Sequence, residues 1–154
     1  MKILILHGVN LCMLGSRNPE IYGSMTETDL LEALREYAPE DRIDLFSTNH
    51  EALFIERIYR LMSGSYDALI VNPGAWTHYS YAIADAIEMV SIPVIEVHLS
   101  DVTKREDFRK ISVLEHVRIA RFAGGGIEAY KKAIDYLKGE NDEKSTVDSS
   151  EGRI

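Results

Sequence analysis

The sequence predicts an α/β fold, a three-layer sandwich in which a five-stranded parallel sheet is covered by helices on both faces. Three observations carry this reading. Short apolar runs of strand length recur along the chain, amphipathic stretches with apolar residues three and four apart separate them, and polar or glycine-containing residues follow each run. Strands buried on both faces read as continuous apolar runs, and alternation with helices calls for parallel pairing.

In order, the runs are Ile3 to Leu6, Ile43 to Phe46, Ala68 to Val71 and Val94 to Val97, with a fifth at Val117 to Phe122 that Arg118 and Arg121 make polar on one face. The helical patterns are Thr26 to Ala38, His50 to Met62, His78 to Val90 and Ile127 to Leu137, the last entered through Gly124 to Gly126. Right-handed crossovers leave few topologies, of which the flavodoxin-like one is the commonest at this length. With 154 residues, 45% of them hydrophobic, the chain suffices for a single domain, expected over residues 1–138. Residues 139–154 are polar with almost no apolar anchor, and are expected to form a disordered tail.

Charge and composition narrow the function. A net charge of −8 argues against a nucleic-acid-binding surface. Cys12 is the only cysteine, which excludes an intramolecular disulfide and a thiolate zinc cluster and suits a reducing, cytoplasmic setting. The N-terminus lacks a signal-peptide pattern, and no run approaches the roughly 18 apolar residues of a membrane span. There is no phosphate-loop motif, no GxGxxG after the first strand and no GxSxG elbow, and His7, His50, His78, His98 and His116 have no metal-ligand spacing. No cofactor and no metal are expected.

In an open parallel sheet ligands bind beyond the carboxyl ends of the strands. Three segments there are rich in chemistry: HGVNLCMLGSRNPEIYG after the first strand, NPGAWTHYS after the third, and HLSDVTKREDFR after the fourth. The first is a long loop of the kind that forms lids, and holds Asn10, Arg17 and Tyr22. A guanidinium near a tyrosine favours the phenolate, although a Tyr beside Pro and Gly more often serves a turn. In the second, Asn72, Pro73 and Gly74 form a turn and His78 falls at a helix start, where a capping role competes with ligand binding. In the third, Glu96 and His98 alternate on one strand and so share a face, letting a carboxylate orient an imidazole for acid–base work; a buried structural pair is the alternative. Ser100 offers a hydroxyl and neighbouring amides for a carboxylate, and Arg105 and Arg109 are spaced to share a face of a helical turn, unless both are simply solvated.

Taken together, these segments resemble the type II 3-dehydroquinate dehydratases over about residues 1–138, in the order and spacing of ILILHGVNLCMLGSRNPEIYGS, NPGAWTHYS and SIPVIEVHLSDVTKREDFRKIS. The resemblance implies a cofactor-free lyase that dehydrates 3-dehydroquinate to 3-dehydroshikimate by anti elimination through an enolate. It implies Tyr22 as base, Arg17 favouring the phenolate, His98 as acid oriented by Glu96, and Asn10 and Asn72 at the developing oxyanion. It further implies Leu99 and Ser100 at the substrate carboxylate, His78 and Arg109 at ring hydroxyls, and Asp85 reaching a neighbour's site in a homododecamer built from trimers. The chain departs from the family pattern at His7, Val9, Cys12, Trp76, Tyr79 and Asp101. The loss of a proline at Val9 and the presence of His7 are expected to alter how Asn10 is held, and Asp101 to weaken carboxylate binding. Tyr79 and Asp101 would permit a paralogue acting on another hydroxylated keto acid; a carboxylate-binding module is the rival outside enzymes.

Overall fold

The computed structural model describes residues 1–16, 18, 20 and 23–139, and the polar tail read from residue 139 onward lies outside these except for Gly139. Five parallel strands, β1 (Lys2–His7), β2 (Arg42–Ser47), β3 (Ala68–Asn72), β4 (Val94–His98) and β5 (Ala120–Ala123), lie in the order β2-β1-β3-β4-β5. Among the described residues four helices, α1 (Glu27–Tyr37), α2 (Glu51–Tyr59), α3 (Tyr81–Glu88) and α4 (Ile127–Lys138), cover the sheet.

Side-chain alternation along the strands divides the core in two. Ile3, Ile5, Ile43, Ile70, Ile95 and Val97 pack against Leu30 and Leu34 of α1 and Tyr130, Ala133 and Ile134 of α4. Leu4, Leu6, Leu69, Val71 and Val94 pack against Phe54 and Ile58 of α2 and Ile83, Ala84 and Ile87 of α3. This is the three-layer sandwich with the flavodoxin-like strand order, as the sequence pattern predicts.

Element boundaries follow local chemistry. Thr26 opens α1 with a capping box, its hydroxyl accepting from the Asp29 amide while the Asp29 carboxylate accepts from the Thr26 amide. The pattern beginning at His50 ends as helix at Tyr59 and tightens into a 3-10 turn over Arg60–Ser63. His78 does not open a helix: it ends a 3-10 turn over Gly74–His78, and Ser80, whose hydroxyl accepts from the Ile83 amide, caps α3 instead. The fifth strand starts at Ala120 and not at Val117, because the Val117 amide is used locally by the Leu114 carbonyl.

The order of strands puts a crevice where β1 and β3 part company in connectivity, and the ends of both strands meet there, His7 opposite Asn72. The chains leaving these strands run in close contact. The Gly8 amide donates to the Asn72 carbonyl at 2.8 Å. A Cβ on Gly8 would lie 2.3 Å from the Pro73 carbonyl oxygen, and one on Gly74, at φ 64°, would lie 2.5 Å from the Val9 carbonyl oxygen. Two backbones therefore touch where side chains would otherwise separate them, and this brings the loops after β1 and β3 to one place. Gly8→Ala should cost about 1–3 kcal/mol or more by overpacking against immovable backbone, read as a lowered urea midpoint with unchanged slope.

Candidate active site

The site grows from Glu96 and His98 on β4. Both point to the α2/α3 side of the sheet, and the His98 Nε2 lies 2.7 Å from Glu96 Oε1. Glu96 has no exposed surface, so its charge needs internal donors. Thr77 Oγ1 donates to Oε1 at 2.5 Å, Ser112 Oγ reaches Oε2 at 2.8 Å, and Arg118 Nε forms an ion pair with Oε2 at 2.8 Å. Burial pushes the Glu96 carboxyl up, but the hydrogen bond and charge of His98, the Thr77 hydroxyl and the Arg118 guanidinium outweigh it and leave it lowered to about 2. With Glu96 ionised, Nε2 of His98 carries the hydrogen of the pair, and Nδ1 is the ring nitrogen left for the pocket.

That pocket, of about 130 Å³, is lined by Asn10 and Leu11 after β1, Asn72 at the end of β3 and His78 beyond it, and His98 at the end of β4 with Leu99, Ser100, Arg105 and Arg109 beyond it. His78 Nδ1 donates to the Ile111 carbonyl at 2.7 Å. Burial lowers its pKa despite that bond, with the charges of His98 and Arg109 adding to the effect, so His78 is neutral near pH 7 and offers Nε2 as an acceptor. Arg109 stacks on Phe108, 4.8 Å from the ring centre, and its Nε holds Glu106 at 2.9 Å. Asn72 donates its amide to the Tyr130 hydroxyl at 3.0 Å and accepts the Gly74 amide at 3.2 Å. Asn10 sits in the left-handed region at φ 67°, with its backbone amide held by Asn49 Oδ1 at 2.7 Å.

Eight residues singled out in the sequence for a possible role, Asn10, Asn72, His78, His98, Leu99, Ser100, Arg105 and Arg109, thus line one pocket, with Glu96 directly beneath. Arg17 and Tyr22 lie outside the described residues. Asp85 is exposed on α3 and does not line the pocket of this chain. Arg105 and Arg109 both line the pocket although they do not share a helical turn: a 3-10 turn over Val102–Lys104 precedes the first, and the second belongs to another over Asp107–Lys110.

Three departures noted in the sequence also have places. His7 does not act on Asn10: its ring is buried on the α1/α4 side, with Nδ1 2.6 Å from Glu27 and Nε2 2.8 Å from the Tyr130 hydroxyl, while Asn49 holds Asn10. Asp101 is engaged by the Thr103 amide and hydroxyl and by Lys104, and Tyr79 is exposed; neither lines the pocket. The residues that sequence reasoning missed are Thr77, Ser112 and Arg118, the partners of Glu96. Arg118 reads in sequence as the polar face of a strand; the signal for all three was Glu96 itself, since a carboxylate within an apolar run obliges the fold to bring donors to it.

Fold and site together define an α/β protein with a buried carboxylate–imidazole pair mounted at the carboxyl edge of a parallel sheet, beside a polar pocket. The chain belongs to the dehydroquinase class II family, which it matches over residues 1–138. It is 41% identical over 140 residues to the 3-dehydroquinate dehydratase of Thermotoga maritima, covering 90% of this chain and 95% of that one. It is 48% identical over 139 residues to that of Bacillus pumilus, covering 89% and 94%. The crystal structure of a type II dehydroquinase from Butyrivibrio crossotus superposes with a TM-score of 0.86 at 42% identity, covering 90% of this chain and 97% of that one. Membership makes the chain a lyase acting on a small molecule, and among the described residues no helix is long and apolar enough to cross a membrane.

The depressed Glu96 carboxyl links stability to pH. The unfolded chain binds a proton near its ordinary value of 4.5, the folded chain only near about 2, so the contribution is complete above 4.5 and is lost as pH falls toward 2. Urea midpoints should therefore fall across this window, and more shallowly in Glu96→Gln than in wild type.

Proposed function

We propose that the chain dehydrates 3-dehydroquinate to 3-dehydroshikimate by anti elimination through an enolate. The observation that carries this reading is the Glu96–His98 pair opening on a pocket lined by Asn10, Asn72, His78, Ser100 and Arg109, in a chain of the dehydroquinase class II family. Tyr22, as phenolate favoured by Arg17, removes the C2 proton. Charge then develops on the keto oxygen, where Asn10 and Asn72 supply polar groups fixed in advance, the form of stabilisation that contributes most in many enzymes. His98 delivers a proton from Nδ1 to the C1 hydroxyl, which leaves as water; the carboxylate of Glu96 stabilises the imidazolium that precedes this transfer and holds the ring at 2.7 Å.

Binding follows from the same lining. The Leu99 and Ser100 amides with the Ser100 hydroxyl take the substrate carboxylate, while neutral His78 and charged Arg109 take ring hydroxyls, one as acceptor and the other as donor. We place the enzyme in the cytoplasm, as a homododecamer of trimers in which Asp85 serves a neighbouring site; its exposure on α3 leaves it available for that.

Adding 3-dehydroquinate to EDTA-treated protein should raise absorbance in the enone band of 3-dehydroshikimate. Tyr22→Phe and His98→Ala should each lower kcat by at least about 10²-fold while substrate still binds, whereas Arg109→Ala should chiefly raise KM. Folded wild type that produces no enone absorbance overturns the assignment; full activity in Tyr22→Phe overturns the base.

A further inference from the structure

On the α1/α4 side of the sheet a second set of buried polar groups meets the pocket from behind. Glu27 of α1 accepts from His7 Nδ1 at 2.6 Å, His7 Nε2 lies 2.8 Å from the Tyr130 hydroxyl of α4, and the Asn72 amide nitrogen lies 3.0 Å from the same hydroxyl. His7 and Tyr130 have no exposed surface, and Asn72 only 3%. None of the Glu96 partners belongs to this set.

The direction of every bond in it is fixed from one end. The Gly74 amide can only donate, so Asn72 Oδ1 accepts at 3.2 Å and the Asn72 nitrogen must face Tyr130 and donate. The Tyr130 oxygen takes that hydrogen, and of its two partners only His7 Nε2 can accept the hydroxyl's own, since the Asn72 nitrogen donates. Nε2 therefore carries no hydrogen, Nδ1 does, and the receiver is the Glu27 carboxylate. Glu27 is suited to receive it: partial burial pushes its carboxyl up, but hydrogen bonds from His7 and Ser47 bring it below the ordinary value. Turning the Asn72 amide over would set its nitrogen against the Gly74 amide and its oxygen against a hydroxyl whose hydrogen is committed elsewhere. Every member would have to reverse at once, with the His7 ring and the Tyr130 side chain fully buried.

We infer that Glu27, His7 and Tyr130 are positioning residues that lock the Asn72 amide in one orientation, with one amide hydrogen spent on Tyr130 and the other presented to the developing oxyanion. The inference rests on the dehydratase reading for its kinetic consequence, but the chain of bonds itself does not. His7, set apart from the family pattern in the sequence, is thus part of the oxyanion apparatus through two intermediaries and not through its neighbour Asn10.

The test pairs kinetics with nitrogen NMR. His7→Leu and Tyr130→Phe, each checked for folding by thermal unfolding, should lower kcat about ten- to hundredfold with KM within about twofold, since the amide serves the enolate more than the bound ketone. His7→Gln, which sets a carbonyl acceptor near the position of Nε2, should recover most of the lost kcat. In wild type, the His7 resonances should report a hydrogen on Nδ1 and none on Nε2. Wild-type kcat in folded Tyr130→Phe, or a hydrogen on Nε2 of His7, overturns the inference. Should the wild type fail to dehydrate 3-dehydroquinate, the reaction reading falls instead, and the His7 tautomer alone decides whether the lock exists. If His7→Leu does not fold, Tyr130→Phe, which keeps the ring in place, decides the kinetic arm.

Discussion

A carboxylate without exposed surface, set in the middle of a parallel sheet, is the constraint around which the carboxyl edge of this molecule is organised. Placing Glu96 there would cost several kcal/mol if it were left alone. Its partners come from three parts of the chain: Thr77 from the turn after β3, His98 from its own strand, and Ser112 and Arg118 from the connection into β5. Each partner stabilises the charge and is fixed by it in return. Ser112 also receives the Leu114 amide, so the segment from Leu99 to Ile119, which carries Ser100, Arg105 and Arg109, is tied down behind the pocket it lines. Removing one member of such a cluster leaves a buried charge uncompensated, at a cost of about 3–5 kcal/mol, and the order of the site is thereby coupled to the stability of the fold.

The two faces of the sheet solve different problems with different electrostatics. On the α2/α3 face the need is to hold a buried carboxylate and the imidazole beside it, and the means is a compact ionic cluster. On the α1/α4 face the need is to hold an uncharged amide in one of two nearly isosteric orientations, which charge alone cannot do. A line of groups with fixed donor direction can, because each hydroxyl or imidazole has one hydrogen to give and the backbone amide of Gly74 sets the sense of the line. The glycine contacts between the loops after β1 and β3 bring the ends of both systems to the same crevice. Asn72 stands at the meeting point, opposite His7 in the strand register.

The parts of this structure legible in the sequence are those governed by short-range periodicity. β1 to β4 are apolar because both faces are covered, and the pairing of Glu96 with His98 follows from the two-residue repeat of a strand. The start of β5 is not legible in the same way, because Arg118, which has the pattern of a residue on its exposed face, turns back to Glu96 before the ladder begins at Ala120. His78 looked like a helix start because apolar spacing continues through it, yet the turn over Gly74–His78 and the Ser80 cap delay the helix. The partners of Glu96, and those of His7, come from elements far apart in the chain. Only the demand for partners, not their identity, can be read from a polar residue in an apolar run.

The departures from the family pattern acquire a physical order once they are placed. Asp101 sits next to Ser100, where an added negative charge would oppose an incoming carboxylate, but its oxygens are taken up by the Thr103 amide and hydroxyl and by Lys104 at 3.3 Å, within its own turn. Tyr79 projects into solvent, and Cys12 receives a hydrogen bond from Asn49 at 3.2 Å while the other end of that amide holds the Asn10 backbone. None of these residues enters the pocket. His7 differs in kind, because it is buried and hydrogen-bonded at both ring nitrogens, and a change at a buried polar position succeeds only when all of its hydrogen bonds are satisfied together. Glu27 and Tyr130 satisfy them, so what begins as a deviation beside the first loop becomes, along one face of the sheet, a means of holding Asn72.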